Sequence, residues 1–185
     1  MTSAATKQIP NALTTLRLLL AVPICWLILD QNYQVVLWVA GIAGITDGAD
    51  GWIARKLDAT SRYGAIVDPL ADKVLLDSVY TSFAVVGLLP WWVATIVVLR
   101  DLVIVTGALA YHWRFGAYDA MPSAWGKAST LVQIVFAVIL LIYQVYPLFP
   151  AFLLSAGQWI LIVLAFASGG HYVYTWAAKA LTNSK

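Results

Sequence analysis

Four carboxylates hold most of the chemistry this chain can perform. Asp47, Asp50, Asp68 and Asp72 lie inside, or at the edge of, two strongly apolar segments. A carboxylate near a bilayer centre costs about 2.5–3.5 kcal/mol on insertion scales. Four at helical spacing therefore call for a strong local partner, and a metal ion is the obvious one. Asp47 and Asp50 are i, i+3 and share a helix face. Gly51 and Ala54 stand at i+4 from them, so that face carries two carboxylates and two very small residues. Asp68 and Asp72 are i, i+4 on the next helix. Two helices joined by a short loop run antiparallel, so the acidic pairs can face each other as an oxygen-only cage. Such a cage suits hard cations, Mg²⁺ or Mn²⁺, rather than Zn²⁺, and four carboxylates are enough for two ions. Two neighbouring ions can clamp a diphosphate and stabilise the attacking and leaving oxygens of an in-line displacement. Gly51 and Ala54 let a flat ligand approach the backbone, and Arg55 offers bidentate phosphate contacts.

The elements that must position these residues follow from composition and hydropathy. The 185 residues are 62% hydrophobic and only 11% charged, whereas a soluble domain is about half apolar and about a quarter charged. The chain reads as an all-α integral membrane protein, a single membrane domain over residues 1–185 with a juxtamembrane segment at 1–12. The expected spans are Leu13–Leu29, Tyr33–Ala54, Ala65–Leu88, Trp91–Trp113, Ala128–Tyr146 and Phe152–Ala178. Each approaches or exceeds the roughly 20 residues a helical span needs. The first is kept as a retained helix, because Asp30-Gln31-Asn32 follows it without a small-residue cleavage pattern. The lone Cys25 excludes an intramolecular disulfide. Lys and Arg fall on one set of loops: Lys7 and Arg17, Arg55 to Arg62, Arg114 and Lys127, Lys179 and Lys185. The opposite loops have none, and Trp91, Trp92, Tyr146 and Phe149 suit that interface. By the positive-inside rule the charged face, with both termini, is cytoplasmic, in an inner (cytoplasmic) membrane. The active site is then expected at the cytoplasmic end of helices 2 and 3.

Eight spaced positions, Asp47-x2-Asp50-Gly51-x2-Ala54-Arg55-x8-Gly64-x3-Asp68-x3-Asp72, match the signature of the CDP-alcohol phosphotransferases. Pro10-Asn11-x-Leu13-Thr14-x2-Arg17 resembles the family's entry to its first helix. Asp68-Pro69-Leu70-Ala71-Asp72-Lys73 resembles the branch of phosphatidylglycerophosphate synthases and cardiolipin synthases. Gly126-Lys127-x2-Thr130-x2-Gln133 resembles the start of their fifth helix. The resemblance covers the chain and implies six helices, an enzyme, and transfer of a phosphatidyl group from CDP-diacylglycerol to an alcohol acceptor with release of CMP. It further implies that Asp47, Asp50, Asp68 and Asp72 hold two divalent ions and that Asp72 is the general base. Gly51, Ala54 and Gly64 would lie against the cytidine and ribose. Arg55, with Asn11 and Thr14, would hold the diphosphate. A homodimer among membrane lipids is implied, and nucleic acid is not an expected partner.

The acceptor is less well marked. Glycerol 3-phosphate, and so a phosphatidylglycerophosphate synthase, is the first expectation. Ser129 stands where such synthases show a second lysine, and Asp101 follows Arg100 where they often have glutamate. Both departures lean toward the alternative, a cardiolipin synthase that uses phosphatidylglycerol. Arg100, Arg114 and Lys127 are the candidate acceptor-binding cations, each with a plainer reading as an internal pair, surface charge or snorkelling lysine. Arg100 and Asp101 are sequence neighbours and are not expected to face each other. Asp77 reads as structural, and His112 and His171 as packing residues. An alternative of another class is a divalent-cation or proton-coupled transporter. It needs an acidic path to both faces, and the acidic pairs cluster at one end.

Overall fold

Long Leu, Ile, Val and Ala runs, broken by short polar or proline-containing stretches, wind into helices that bury their backbone hydrogen bonds internally, as a bilayer requires. The computed structural model describes residues 9–56, 64–115 and 123–183. Among these it has six helices and no strand: α1 (Ile9–Leu29), α2 (Tyr33–Lys56), α3 (Gly64–Val85), α4 (Trp91–Phe115), α5 (Ala124–Val145) and α6 (Phe152–Asn183).

The boundaries differ from the sequence reading where local capping decides. Helix α1 starts at Ile9, ahead of the Leu13–Leu29 span, and Pro10 sits in the first turn, where a missing N–H is no loss and where the sequence places a helix start. The helix thus takes in the end of the juxtamembrane segment, whose residues 1–8 lie outside the described residues. Helix α5 starts at Ala124 rather than Ala128, because Ser123 is its N-cap and its Oγ accepts from the Gly126 N–H at 3.0 Å. Helix α3 stops at Val85 because Gly87 takes φ 78°. Leu88 N–H then donates to Phe83 O at 2.9 Å and Gly87 N–H to Ala84 O at 3.2 Å, the paired bonds of a Schellman cap. The same cap ends α1, with Asn32 N–H on Leu27 O at 2.9 Å, but Gln31 takes the left-handed position at φ 59°.

The helices close a ring. α1 packs on α2 and α3, α3 on α4, α4 on α6, α6 on α5, and α5 returns to α2. Helices α3 and α5 meet only narrowly across the ring. One of those meetings is Tyr80 Oη donating to the Gln133 carbonyl at 2.9 Å. Ile28, Val36, Tyr80, Phe83, Leu89, Val93, Val97, Leu140 and Leu161 fill the core, with Tyr80 and Phe83 edge-on at 6.1 Å. Val22, Trp26, Trp38, Ile42, Val163 and Phe166 point outward, the inverse of a soluble surface and the arrangement expected against lipid. Trp91–Ala110, Ala124–Val145 and Phe152–Trp176 are long and apolar enough to cross a membrane, and Leu19–Leu29 and Tyr33–Gly44 are shorter apolar runs. The chain is a multi-pass membrane protein. Trp92 lies near Trp159 with ring centroids 6.0 Å apart, Trp91 is exposed after Pro90 at the start of α4, and Tyr146 is exposed before Pro147 just past the end of α5.

Candidate functional site

Helix α2 runs unbroken through Asp47, Asp50, Gly51, Ala54 and Arg55, and α3 through Gly64, Asp68 and Asp72. The i, i+3 and i, i+4 registers are therefore real helical registers, one per helix. Asn11 and Thr14 lie in the first turns of α1. The side chains of Asn11, Thr14, Asp47, Asp50, Gly51, Ala54, Arg55, Gly64 and Asp68 fall outside the described set, as does the connection at 57–63. Asp72 is exposed, next to the buried Ala71 (3% exposed), so it stands off the packed face of α3. A donor set of four carboxylates and no sulfur or imidazole, carried on two continuous helices, fits a hard divalent cation.

Starting at Lys73, the residue after Asp72, the bundle holds charges that sequence reasoning did not connect. Lys73 Nζ pairs with Asp101 Oδ1 at 2.5 Å, linking α3 to α4. The same oxygen takes a charge-assisted bond from Arg100 Nη1. Arg100 Nη2 donates to Ser168 Oγ on α6 at 2.6 Å and reaches the Gly126 carbonyl of α5 at 3.4 Å. Arg100 and Asp101 are 6% and 2% exposed. This corrects the expectation that the two cannot face each other. Residues i and i+1 diverge by about 100° on a helix, but both point into the ring interior, and the long guanidinium folds across to its neighbour. Arg100 is thus committed to partners within the bundle. Lys127 is exposed in the first turn of α5, and Arg114 is exposed near the end of α4.

Asp77 is one turn deeper than Lys73, and its Oδ1 is buried without a hydrogen-bond partner among the described residues. It borders a groove of about 680 Å³ between α1 and α3, lined by Val22, Cys25, Trp26, Ser78 and Thr81. Helical register turns that face of α3 away from Asp72. His171 is exposed and contacts its own helix, with Thr175 Oγ1 donating to the His171 carbonyl at 2.7 Å. The missed residues, Lys73, Asp101 and Ser168, share no sequence spacing. Only the buried position of charged residues in apolar helices hinted at them.

Comparison with known proteins gives the site a context. The profile of the CDP-alcohol phosphatidyltransferase family matches residues 7–170. A protein of Mycobacterium tuberculosis named "Putative cardiolipin synthase" is 33% identical over 181 residues, covering 96% of this chain and 82% of its own. A "Probable phosphatidylglycerophosphate synthase" of the same organism is 36% identical over 140 residues, 71% of this chain and 65% of its own. The rat "Cardiolipin synthase (CMP-forming)" is 31% identical over 143 residues, 69% of this chain and 47% of its own.

Proposed function

This chain belongs to the CDP-alcohol phosphatidyltransferase family, and on that premise we propose that it is a phosphatidylglycerophosphate synthase, with glycerol 3-phosphate as the acceptor. Family membership makes it a membrane enzyme that moves a phosphatidyl group from CDP-diacylglycerol to an alcohol, with use of divalent metal ions. The transporter alternative falls with that membership. The observation that carries the proposal is the unbroken helical register of α2 and α3 through all eight signature positions.

In this reading Asp47 and Asp50 on α2 and Asp68 and Asp72 on α3 would hold two Mg²⁺ or Mn²⁺ ions. Bound there, the ions neutralise the diphosphate and the charge that develops on the departing phosphate. The protein's own residues do the rest. Arg55, with Asn11 and Thr14, holds the diphosphate, and Gly51, Ala54 and Gly64 leave room for the cytidine and ribose. Asp72 takes the proton from the acceptor hydroxyl as its oxygen attacks the phosphorus bearing the lipid. The bond from that phosphorus to the bridging oxygen breaks, and CMP carries the electron pair away. Lys127, with Arg114 near it in the sequence pattern, attracts the acceptor phosphate. The charge census supports a cytoplasmic-membrane enzyme with both termini and the site on the cytoplasmic side, and the family supports a homodimer.

A second reading, phosphatidylglycerol as acceptor, is favoured by Ser129. That position is uncharged and 1% exposed, so it offers no second cation. The purified enzyme, given CDP-diacylglycerol and Mn²⁺ with labelled glycerol 3-phosphate or labelled phosphatidylglycerol, separates the two. Labelled phosphatidylglycerophosphate supports the first reading. Cardiolipin as the sole product overturns it in favour of the second.

A further inference from the structure

The buried charges between α3, α4, α5 and α6 form a single chain of contacts with informative ends. It starts at Lys73, one residue after Asp72, and passes through Asp101 and Arg100. It ends on Ser168 and on the carbonyl of Gly126, one residue before Lys127. Two of its three ends, Lys73 and Gly126, are therefore covalent neighbours of the proposed base and of the proposed acceptor-binding lysine. The helices that carry those two residues, α3 and α5, meet only narrowly. Their described hydrogen bond, Tyr80 to Gln133, lies eight residues along α3 from Asp72 and six along α5 from Lys127, or about 12 and 9 Å down the helix axes. At the end of the ring where the reaction is placed, α3 and α5 are joined through α4 and α6: Arg100 reaches Ser168 and the Gly126 carbonyl, and Tyr172 Oη, one turn after Ser168, accepts from the Ser123 N–H at 3.2 Å.

Burying such a network is not the cheapest way to pack four helices. Well-packed apolar residues of similar volume are often as stabilising as a buried ion pair. What charges add is a fixed geometry, with bonds of defined length and direction. We infer that Asp101 is a positioning residue for phosphatidyl transfer. Held between Lys73 and Arg100, it sets the α3 turn that carries Asp72 against the first turn of α5 that carries Lys127. Asp101 touches neither substrate. It acts through Lys73 on one side and through Arg100 and Gly126 on the other. The inference rests on the reading of Asp72 and Lys127 given above.

The test is a double-mutant set on the purified full-length enzyme, with kcat and both KM values measured at saturating Mn²⁺, and with binding of CDP-diacylglycerol measured without acceptor. Lys73→Met is the primary variant. The Lys73 side chain is 21% exposed, and the Arg100–Asp101 pair stays buried and intact in its absence, so the protein should fold. A misplacement of about 1 Å costs about 100-fold in rate, and the expected loss in kcat is about 10- to 100-fold. The KM and the binding of CDP-diacylglycerol should change less than about two-fold, because no contact with that substrate is lost. Lys73→Arg, which keeps the pair, should recover most of the lost kcat. Asp101→Asn with Lys73→Met should be no slower than the slower single variant, because the two residues act as one link. A Lys73→Met enzyme with near-normal kcat, a loss expressed instead in CDP-diacylglycerol KM, or additive losses in the double variant would each overturn the inference. A wild type that releases no CMP with either acceptor would instead overturn the function on which it rests.

Discussion

Replacing Arg100 by methionine separates an internal tie from a substrate contact. Methionine keeps much of the aliphatic volume and removes the guanidinium. Three interactions go: the charged bond to Asp101, the 2.6 Å bond to Ser168 and the 3.4 Å approach to the Gly126 carbonyl. The last is the longest of the three and contributes the least energy. Breaking a buried ion pair costs about 3–5 kcal/mol when a charge is left alone. Asp101 keeps Lys73 at 2.5 Å and is not left alone, so its share falls below that range, at about 2 kcal/mol. The unmet Ser168 hydroxyl, 0% exposed as a residue, adds roughly 1 kcal/mol. A total near 3 kcal/mol corresponds to a fall in Tm of about 6–12 °C for a chain of this size. Cys25 is the lone cysteine and is half-buried in α1, so a thiol-reactive fluorophore reports unfolding in detergent without an introduced cysteine. Arg100→Lys keeps a charge but not the fork, and should fall between wild type and Arg100→Met. An Arg100→Met protein that melts within about 2 °C of wild type, below the roughly 6 °C expected, would refute the reasoning. Arg100 would then owe its position to something other than these bonds.

Three further outcomes follow from other parts of the molecule. Asp72→Asn should leave the melting profile near that of wild type and lower kcat by at least the 10²–10⁴-fold typical of a lost general base; turnover above about a tenth of wild type would argue against that role. Gly107→Ala places a Cβ 2.0 Å from the Trp176 ring, which must shift. The expected cost is about 1–3 kcal/mol, read as a lower Tm; a variant that melts like wild type would argue against the close approach. Gln31→Gly removes a left-handed non-glycine at φ 59° and should raise stability by about 1 kcal/mol, or a few degrees in Tm, with kcat unchanged.

The six helices were legible because hydropathy and length speak plainly in a membrane chain, and the polar break at Asp30–Asn32 and the proline break at Leu89–Pro90 separate their runs. The eight signature positions were legible because spacing alone sets a helical face. Helix starts were less so. The hydroxyl of Ser123 caps α5, which starts at Ala124, four residues before the expected start, and apolar periodicity does not register a cap. The Lys73–Asp101 pair was invisible for a different reason. Its members are 28 residues apart on different helices, and only the closing of the ring brings α3 against α4. The Arg100–Asp101 contact was misjudged because helical angles describe where side chains leave the backbone, not where a long guanidinium ends.

The central claim is phosphatidyl transfer to an alcohol with loss of CMP. It is tested most directly by incubating purified protein with CDP-diacylglycerol, Mn²⁺ and glycerol 3-phosphate and measuring CMP and lipid product together. CMP and phosphatidylated alcohol should appear in equal amounts, only when the alcohol is present, and both should vanish with Asp72→Asn. No CMP with glycerol 3-phosphate or phosphatidylglycerol, or CMP release that continues unchanged in the variant, would contradict the account.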